Sequence, residues 1–378
     1  MGHYNTILNQ ITAFIPRHDF DYYAKAHHSG QKFRSYNRWS QFMAMLIGQL
    51  SGRKSLRDIT HNLKAQRNRL YHLGMKQTSR ATLARVNEQQ PASLYEALFF
   101  QLLKKCQQVS PSHKFSFKNK LYLLDTTTID LCLSVFPWAK FRKRKGAIKL
   151  HMGLDAGGYL PAFMDMTNGK VHEIQWAKTL KLPRGSFVAF DRGFTDYTWY
   201  QTLITNGVFF VTRLKSNADI KYLLKRRGRK SSGVTNDQQI MLNGVSDPLR
   251  LVAYTDSDTS IEYRFLTNAD HLKAAEIAAI YKERWKIELF FKWIKQNLKV
   301  KTFLGTSKNA VLTQVWIALC VYLIVAYLNF KAKLGSSMQQ ILRVLQLNLF
   351  ERRNLIELFK PPDKQLPVSP QILMWNKL

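Results

Sequence analysis

Residues 147–166 read AIKLHMGLDAGGYLPAFMDM. Apolar and polar positions alternate up to Asp155, Gly157-Gly158 supplies a turn, and residues 159–166 return as a second extended run. A period of two on either side of a glycine pair predicts an antiparallel hairpin. Upstream, residues 120–124 (KLYLL) form a short apolar strand ending at Asp125. Downstream, residues 186–190 (SFVAF) form another, ending at Asp191. Helices are predicted over 171–180 and 195–205, a further strand over 208–213 (VFFVTR), and one long helix over 269–298. Strands that alternate with helices in this order predict an α/β mixed sheet with helices packed on it. A ribonuclease-H-like fold has this order.

The flanking segments differ in character. Residues 214–266 contain the basic run KRRGRK (225–230), a polar Ser/Gly/Asn stretch and strand-like segments at 250–254 and 261–266, which predict a β-rich insertion. Residues 1–115 are helical and basic. Residues 39–50 (WSQFMAMLIGQL) carry apolar positions at helical spacing. Ser55 is placed to cap a helix with Asp58 at its third position, and residues 79–87 (SRATLARVN) combine a serine cap with two arginines. Short basic helices of this kind suit a DNA groove or a solvated bundle face equally. After Gly305 the chain is helical up to Pro361-Pro362. The expected organisation is thus a helical DNA-binding region (1–115), a catalytic core (116–305) with its insertion, and a C-terminal helical region (306–378) suited to dimerisation.

Charge narrows the partner. The chain has 378 residues, with 57 Lys+Arg against 25 Asp+Glu, a formal charge of +32. The excess is spread along the whole length, which predicts a polyanion, nucleic acid before a membrane surface. Cys106, Cys132 and Cys320 are odd in number, and no two have metal-ligand spacing, so neither a disulfide framework nor a zinc site is indicated and a reducing cytoplasm fits. Residues 1–20 lack the pattern of a secretory signal. Residues 311–330 (VLTQVWIALCVYLIVAYLNF) are long enough to span a bilayer, but Gln314 and Asn329 interrupt them, and a buried core helix is the better reading.

Within the long predicted helix, Tyr281, Arg284, Glu288 and Lys295 fall within a stripe roughly 60° wide. Glu283 points away from it. Taken alone, Arg284 and Glu288 make an ordinary i,i+4 pair, and each aspartate reads as a cap or turn residue. Together, Asp125, Asp191 and Glu288 offer hard oxygen ligands of the kind two-metal phosphoryl transfer requires, and Mg2+ suits such a set.

The segment Tyr281-Lys-Glu-Arg284-Trp285-Lys-Ile-Glu288, with Lys295 seven residues on, resembles the Tyr-x2-Arg-x3-Glu-x6-Lys signature of cut-and-paste DDE transposases of the IS-four insertion-sequence family. Leu124-Asp125-Thr126-Thr127 resembles the family's first aspartate motif, and Asp191-Arg192-Gly193-Phe194 its second. Residues 149–169 and the basic segment 34–63 also share the family's character. The resemblance covers most of the chain. It implies that Asp125, Asp191 and Glu288 are catalytic metal ligands for two Mg2+ ions, with Mn2+ as a substitute. It implies further that Tyr281, Arg284 and Lys295 grip phosphates of double-stranded DNA, both the terminal inverted repeats and the target. The implied reaction is nicking, hairpin formation and strand transfer, carried out by a homodimer in the bacterial cytoplasm at the nucleoid. The family often stacks a flipped base on an aromatic of the insertion. No tryptophan occurs there in this chain, which leaves Trp285 as the better candidate. Trp293 reads as core. Neither His151 nor His172 is spaced as one of a metal pair, and His172-Glu173 reads as a helix start. Three rivals remain: a ribonuclease-H-like nuclease or resolvase without strand transfer, a catalytically inactive DNA-binding derivative, and a membrane protein using residues 311–330.

Overall fold

The computed structural model describes residues 4–30, 36–142, 145–226, 233–257, 259–298 and 303–360. Positions 227–230 of the basic run, Arg34 and the Pro361-Pro362 pair lie outside the described residues.

Ten strands form one sheet. They are β1 (Leu121–Leu131), β2 (Lys140–Arg142), β3 (Lys145–Asp155), β4 (Leu160–Asn168), β5 (Phe187–Ala189), β6 (Phe209–Arg213), β7 (Ile220–Lys225), β8 (Val234–Leu242), β9 (Leu249–Thr255) and β10 (Glu262–Thr267). β3 and β4 pair antiparallel across the Gly157-Gly158 turn, β3 pairs antiparallel with β1, and β5 and β6 follow parallel to β1. The order β4-β3-β1-β5-β6 is the ribonuclease-H-like arrangement expected from the sequence. The insertion is β-rich as expected, but it does not stand apart. β10 pairs antiparallel with β6, and β9, β8 and β7 extend the same sheet outward. β7 and β8 fall in the charged and polar stretch that gave no strand signal. Both are mostly exposed or half-buried, so the apolar alternation that marks a strand is weak in them.

Three elements correct the sequence reading. β1 does not stop at Asp125 but continues to Leu131, so Asp125 sits inside an eleven-residue strand. Thr126, Thr127 and Thr128 are β-branched and pair with β3, which sustains the strand past the carboxylate. The helix expected over 171–180 shrinks to Glu173–Ala177. The long helix of 269–298 is two, Ala274–Glu283 and Trp285–Asn297, joined at Arg284, whose amide reaches back three residues to the Tyr281 carbonyl. A tighter turn at that point explains the break.

Alternation along β1 sorts its side chains onto the two faces of the sheet. Leu121 and Leu123 join a core shared with the N-terminal helices and the Trp285–Asn297 helix. Tyr122 and Leu124 join a second core built from Trp176, Phe190, Trp199 and Tyr200. The first core runs unbroken from Ile7 through the sheet to Leu355. Its axis is the Lys308–Ala332 helix, which packs on Ser93–Gln107, Arg38–Leu50 and Arg80–Gln89. This helix is long and apolar enough to cross a bilayer, yet 83% of its most apolar window is buried inside the protein. Gln314, buried within it, accepts a hydrogen bond from the Leu304 amide at 2.8 Å. The region expected to serve dimerisation therefore spends this helix on the chain's own core.

Candidate active site

The parallel register between β1 and β5 aligns Leu123 with Ala189, so positions 125 and 191 lie level at the same end of adjacent strands. Asp125 shares the Leu121/Leu123 face, toward the Trp285–Asn297 helix, and Glu288 stands in the first turn of that helix. Asp191 immediately follows β5, where its carboxylate accepts a hydrogen bond from the Gly193 amide at 2.8 Å and caps the Arg192–Phe194 turn. Gly193 leaves room for two carboxylates here. A Cβ at that position would lie 2.8 Å from Glu173 Oε2 and 2.9 Å from Asp191 Oδ1.

Arg284 links two of the carboxylates. Its guanidinium bonds Glu288 and lies 3.9 Å from Asp125 Oδ2. Asp125 is 18% exposed and Glu288 33%. Burial, with help from the charges of Asp191 and Glu288, pushes the Asp125 carboxyl up to about 7 against the opposing pull of the Thr126 amide and Arg284. Burial opposes the charge on Arg284, but Tyr281, Glu288 and Asp125 outweigh it and hold the guanidinium above its usual value.

Asp125, Thr127, Glu288, Lys292 and Lys295 line a cleft of about 300 Å³. Lys295 donates to the Thr127 hydroxyl and, at 3.2 Å, to the Thr128 carbonyl, so it rests on β1 two residues from Asp125. A second cavity of about 440 Å³ has Arg284, Tyr281, Trp285, Arg213, Tyr254 and Tyr263 on its walls. Tyr281 packs on Phe265 with ring centroids 4.9 Å apart. Burial raises its hydroxyl pKa, while Arg284 and Arg213 pull the other way. Trp285 is 58% exposed. Trp293 packs edge-on against Tyr322, as expected of a core residue. Glu283 is turned away from the cleft into contact with Lys114 at 2.8 Å and Tyr159.

The chemistry of the donor set fits divalent cations. Asp125 and Glu288 are hard oxygen ligands in one cleft, and Asp191 is close enough to perturb Asp125. Among the described residues no three His, Cys, Asp or Glu side chains form a ready-made metal cluster. A cationic guanidinium between two of the carboxylates instead offsets their repulsion. The sequence reading passed over several residues at the site. Lys292 lies one turn beyond Glu288 on the same stripe and was legible in principle. Arg213 ends β6, and Glu173, paired with Lys149 at 3.3 Å, reaches Gly193 from a distant helix. Only the fold brings these two to the site. His151, fully buried, bridges the hydroxyls of Thr126 and Thr167 at 2.8 Å each.

Asp125 and Glu288 in one cleft where a ribonuclease-H-like sheet meets a helix, on a protein of charge +32, have the chemistry that phosphodiester enzymes use. Residues 116–324 match the family model described as a transposase DDE domain, and residues 3–76 match a domain of unknown function (DUF4372). A putative transposase of Sinorhizobium fredii is 34% identical over 302 residues, covering 76% of this chain and 81% of the relative. A probable transposase for an insertion sequence element of Geobacillus stearothermophilus is 27% identical, covering 69% and 70%. Among solved structures, a piggyBac transposase synaptic complex with hairpin DNA aligns with a TM-score of 0.45 and 14% identity, over 99% of this chain and 84% of that one. The chain belongs to the DDE transposase family.

Proposed function

We propose that this transposase moves an insertion sequence by cut-and-paste, with Asp125, Asp191 and Glu288 as its metal-binding carboxylates. One observation carries the assignment: Asp125 and Glu288 face one cleft, share Arg284, and Asp125 feels the charge of Asp191. Asp125 and Glu288 in one cleft, with Asp191 opposing the charge on Asp125, are suited to bind a cation. Two Mg2+ ions, or Mn2+ in their place, would activate the attacking oxygen and stabilise the leaving 3′-oxygen.

The chain's own residues do the rest. Lys295 lines the cleft and Arg284 bonds Glu288 beside it, both as donors to a DNA phosphate, Arg284 in the bidentate manner its planar group allows. Tyr281 positions Arg284 by packing beneath it, 5.6 Å from ring centroid to guanidinium carbon. Trp285 offers an exposed face for stacking a base displaced from the helix. The products would be a nicked end, a hairpin on the flanking strand and a joined target, made on paired inverted repeats by a dimer in the bacterial cytoplasm. The intact carboxylate set argues against an inactive derivative. The reading is tested by incubating full-length protein with a duplex of the DNA flanking its coding region and Mg2+. The wild type should nick and join that DNA. Asp125→Asn and Glu288→Gln should lose cleavage by a thousandfold or more yet bind the duplex normally. Cleavage that survives either change would refute the site, and nicking without joining would leave a nuclease.

A further inference from the structure

The Arg38–Leu50 helix is buried along its whole length. It ends in a tight motif: Gly52 takes φ +65°, its amide bonds the Gln49 carbonyl, and the Arg53 amide bonds the Gly48 carbonyl. Three residues later Ser55 caps the Leu56–Ala65 helix, accepting from the Asp58 amide at 3.0 Å, while the Asp58 carboxylate accepts from the Lys54 amide. Two helices are thus joined by a five-residue turn bonded at both ends. They cross closely, because a Cβ on Gly48 would lie 2.5 Å from Ile59 Cδ1.

The second helix has two distinct faces. Leu56, Ile59 and Leu63 are buried. Arg57, His61 and Lys64, at spacings of four and three, are exposed along one stripe. Residues 53–69 carry six Lys or Arg against one acidic residue, Asp58, whose carboxylate is engaged in the turn. The other basic helix, Arg80–Gln89, is less suited to lie in a groove. It packs on the Lys308–Ala332 helix, its Arg80 and Arg85 are five residues apart and so diverge, and Glu88 is exposed on it.

We propose that the Leu56–Ala65 helix lies in the DNA major groove and reads base sequence at the element's ends, with Arg57 and His61 as the residues that set specificity. The proposal rests on the transposase reading above and assigns a role to the region matched only by a domain of unknown function. A basic helix fixed by a bonded turn, with its apolar side on the core and its Arg57-His61-Lys64 stripe exposed, is free to enter a major groove. Arginine pairs with both acceptors of guanine, and imidazole can donate to or accept from a base edge. Lys54 and Arg67, exposed at either end, are placed for phosphates and carry no sequence information.

The test is fluorescence anisotropy of the full-length protein in EDTA, with a duplex of the DNA flanking the coding region and a shuffled duplex of the same composition. The wild type should prefer the flanking duplex. Arg57→Ala and His61→Ala should each cut that preference by about tenfold or more and leave binding to the shuffled duplex nearly unchanged. Arg57→Lys keeps the charge and loses the paired geometry, so it too should lose preference while retaining non-specific affinity. Lys54→Ala and Arg67→Ala should weaken both duplexes equally. Circular dichroism of each variant checks the fold. A wild type without preference, full preference retained in the Arg57 and His61 variants, or equal weakening on both duplexes would overturn the proposal. Metal-dependent cleavage by the wild type reports separately on the transposase reading, so the two can fail independently.

Discussion

Asp125 sits in an environment that opposes its charge. Its carboxyl is raised from 3.8 to about 7, burial first and its acidic neighbours after. A raised folded pKa contributes stability below the unfolded value, and that contribution is lost as pH rises through 7. Asp125→Asn should therefore stabilise the metal-free protein above pH 7, by about 3 kcal/mol or less. Thermal melts at pH 6 and pH 8 in EDTA check this. Mg2+ should raise the melting temperature of the wild type and not of the variant. Gly193→Ala addresses the second aspartate. The added methyl would meet the Asp191 and Glu173 oxygens below 3.0 Å, so the Asp191 carboxylate must move. Cleavage should fall about a hundredfold with little change in melting temperature, because small displacements of catalytic groups are costly to rate and cheap in stability.

At the scale of elements, one buried imidazole ties together side chains of three paired strands. His151 on β3 bonds Thr126 on β1 and Thr167 on β4, and its ring stacks on Trp176 at 5.3 Å. Burial, and then Lys149, depress its pKa from 6.5 to about 4. A base with a depressed folded pKa contributes stability above its unfolded value, and that contribution is lost as pH falls from 6.5 through 4. The protein should lose stability across that window, and His151→Gln should flatten the loss while costing roughly 2 kcal/mol at pH 7 through misplaced hydrogen bonds. Melting temperature against pH for both proteins decides it. A wild-type curve that stays level down to pH 4 would contradict the assignment. The strand boundaries were harder to read than the strands. Asp125 looked like an end because the apolar run stops there, yet the ladder with β3 continues through three threonines. The break at Arg284 left no sequence mark, since no proline or glycine stands there to signal it.

In the whole molecule, the N-terminal helices, the catalytic sheet and the C-terminal helix share one core. Cys106 bonds the Leu323 carbonyl, and Asn309 bonds the carbonyls of Asn87 and Gln90, contacts that span more than 200 residues of sequence. Removing residues 306–378 should thus unfold the N-terminal region as well. Hydrogen exchange should show the amides of Arg38–Leu50 and Ser93–Gln107 losing protection in the shortened chain. Retained protection there would show that the N-terminal region folds by itself.

The sequence alone determined the succession of strands and helices, the hairpin and the Ser55 and Ser79 caps, and it singled out Asp125, Asp191 and Glu288 as candidates, because these depend on local periodicity, turn chemistry and residue type. Only the tertiary structure decided that the insertion extends the catalytic sheet, that Arg284 stands between Asp125 and Glu288, and that the most apolar helix is spent on the chain's own core. These depend on contacts between residues distant along the chain, and no local pattern encodes which distant surface a helix or strand will meet.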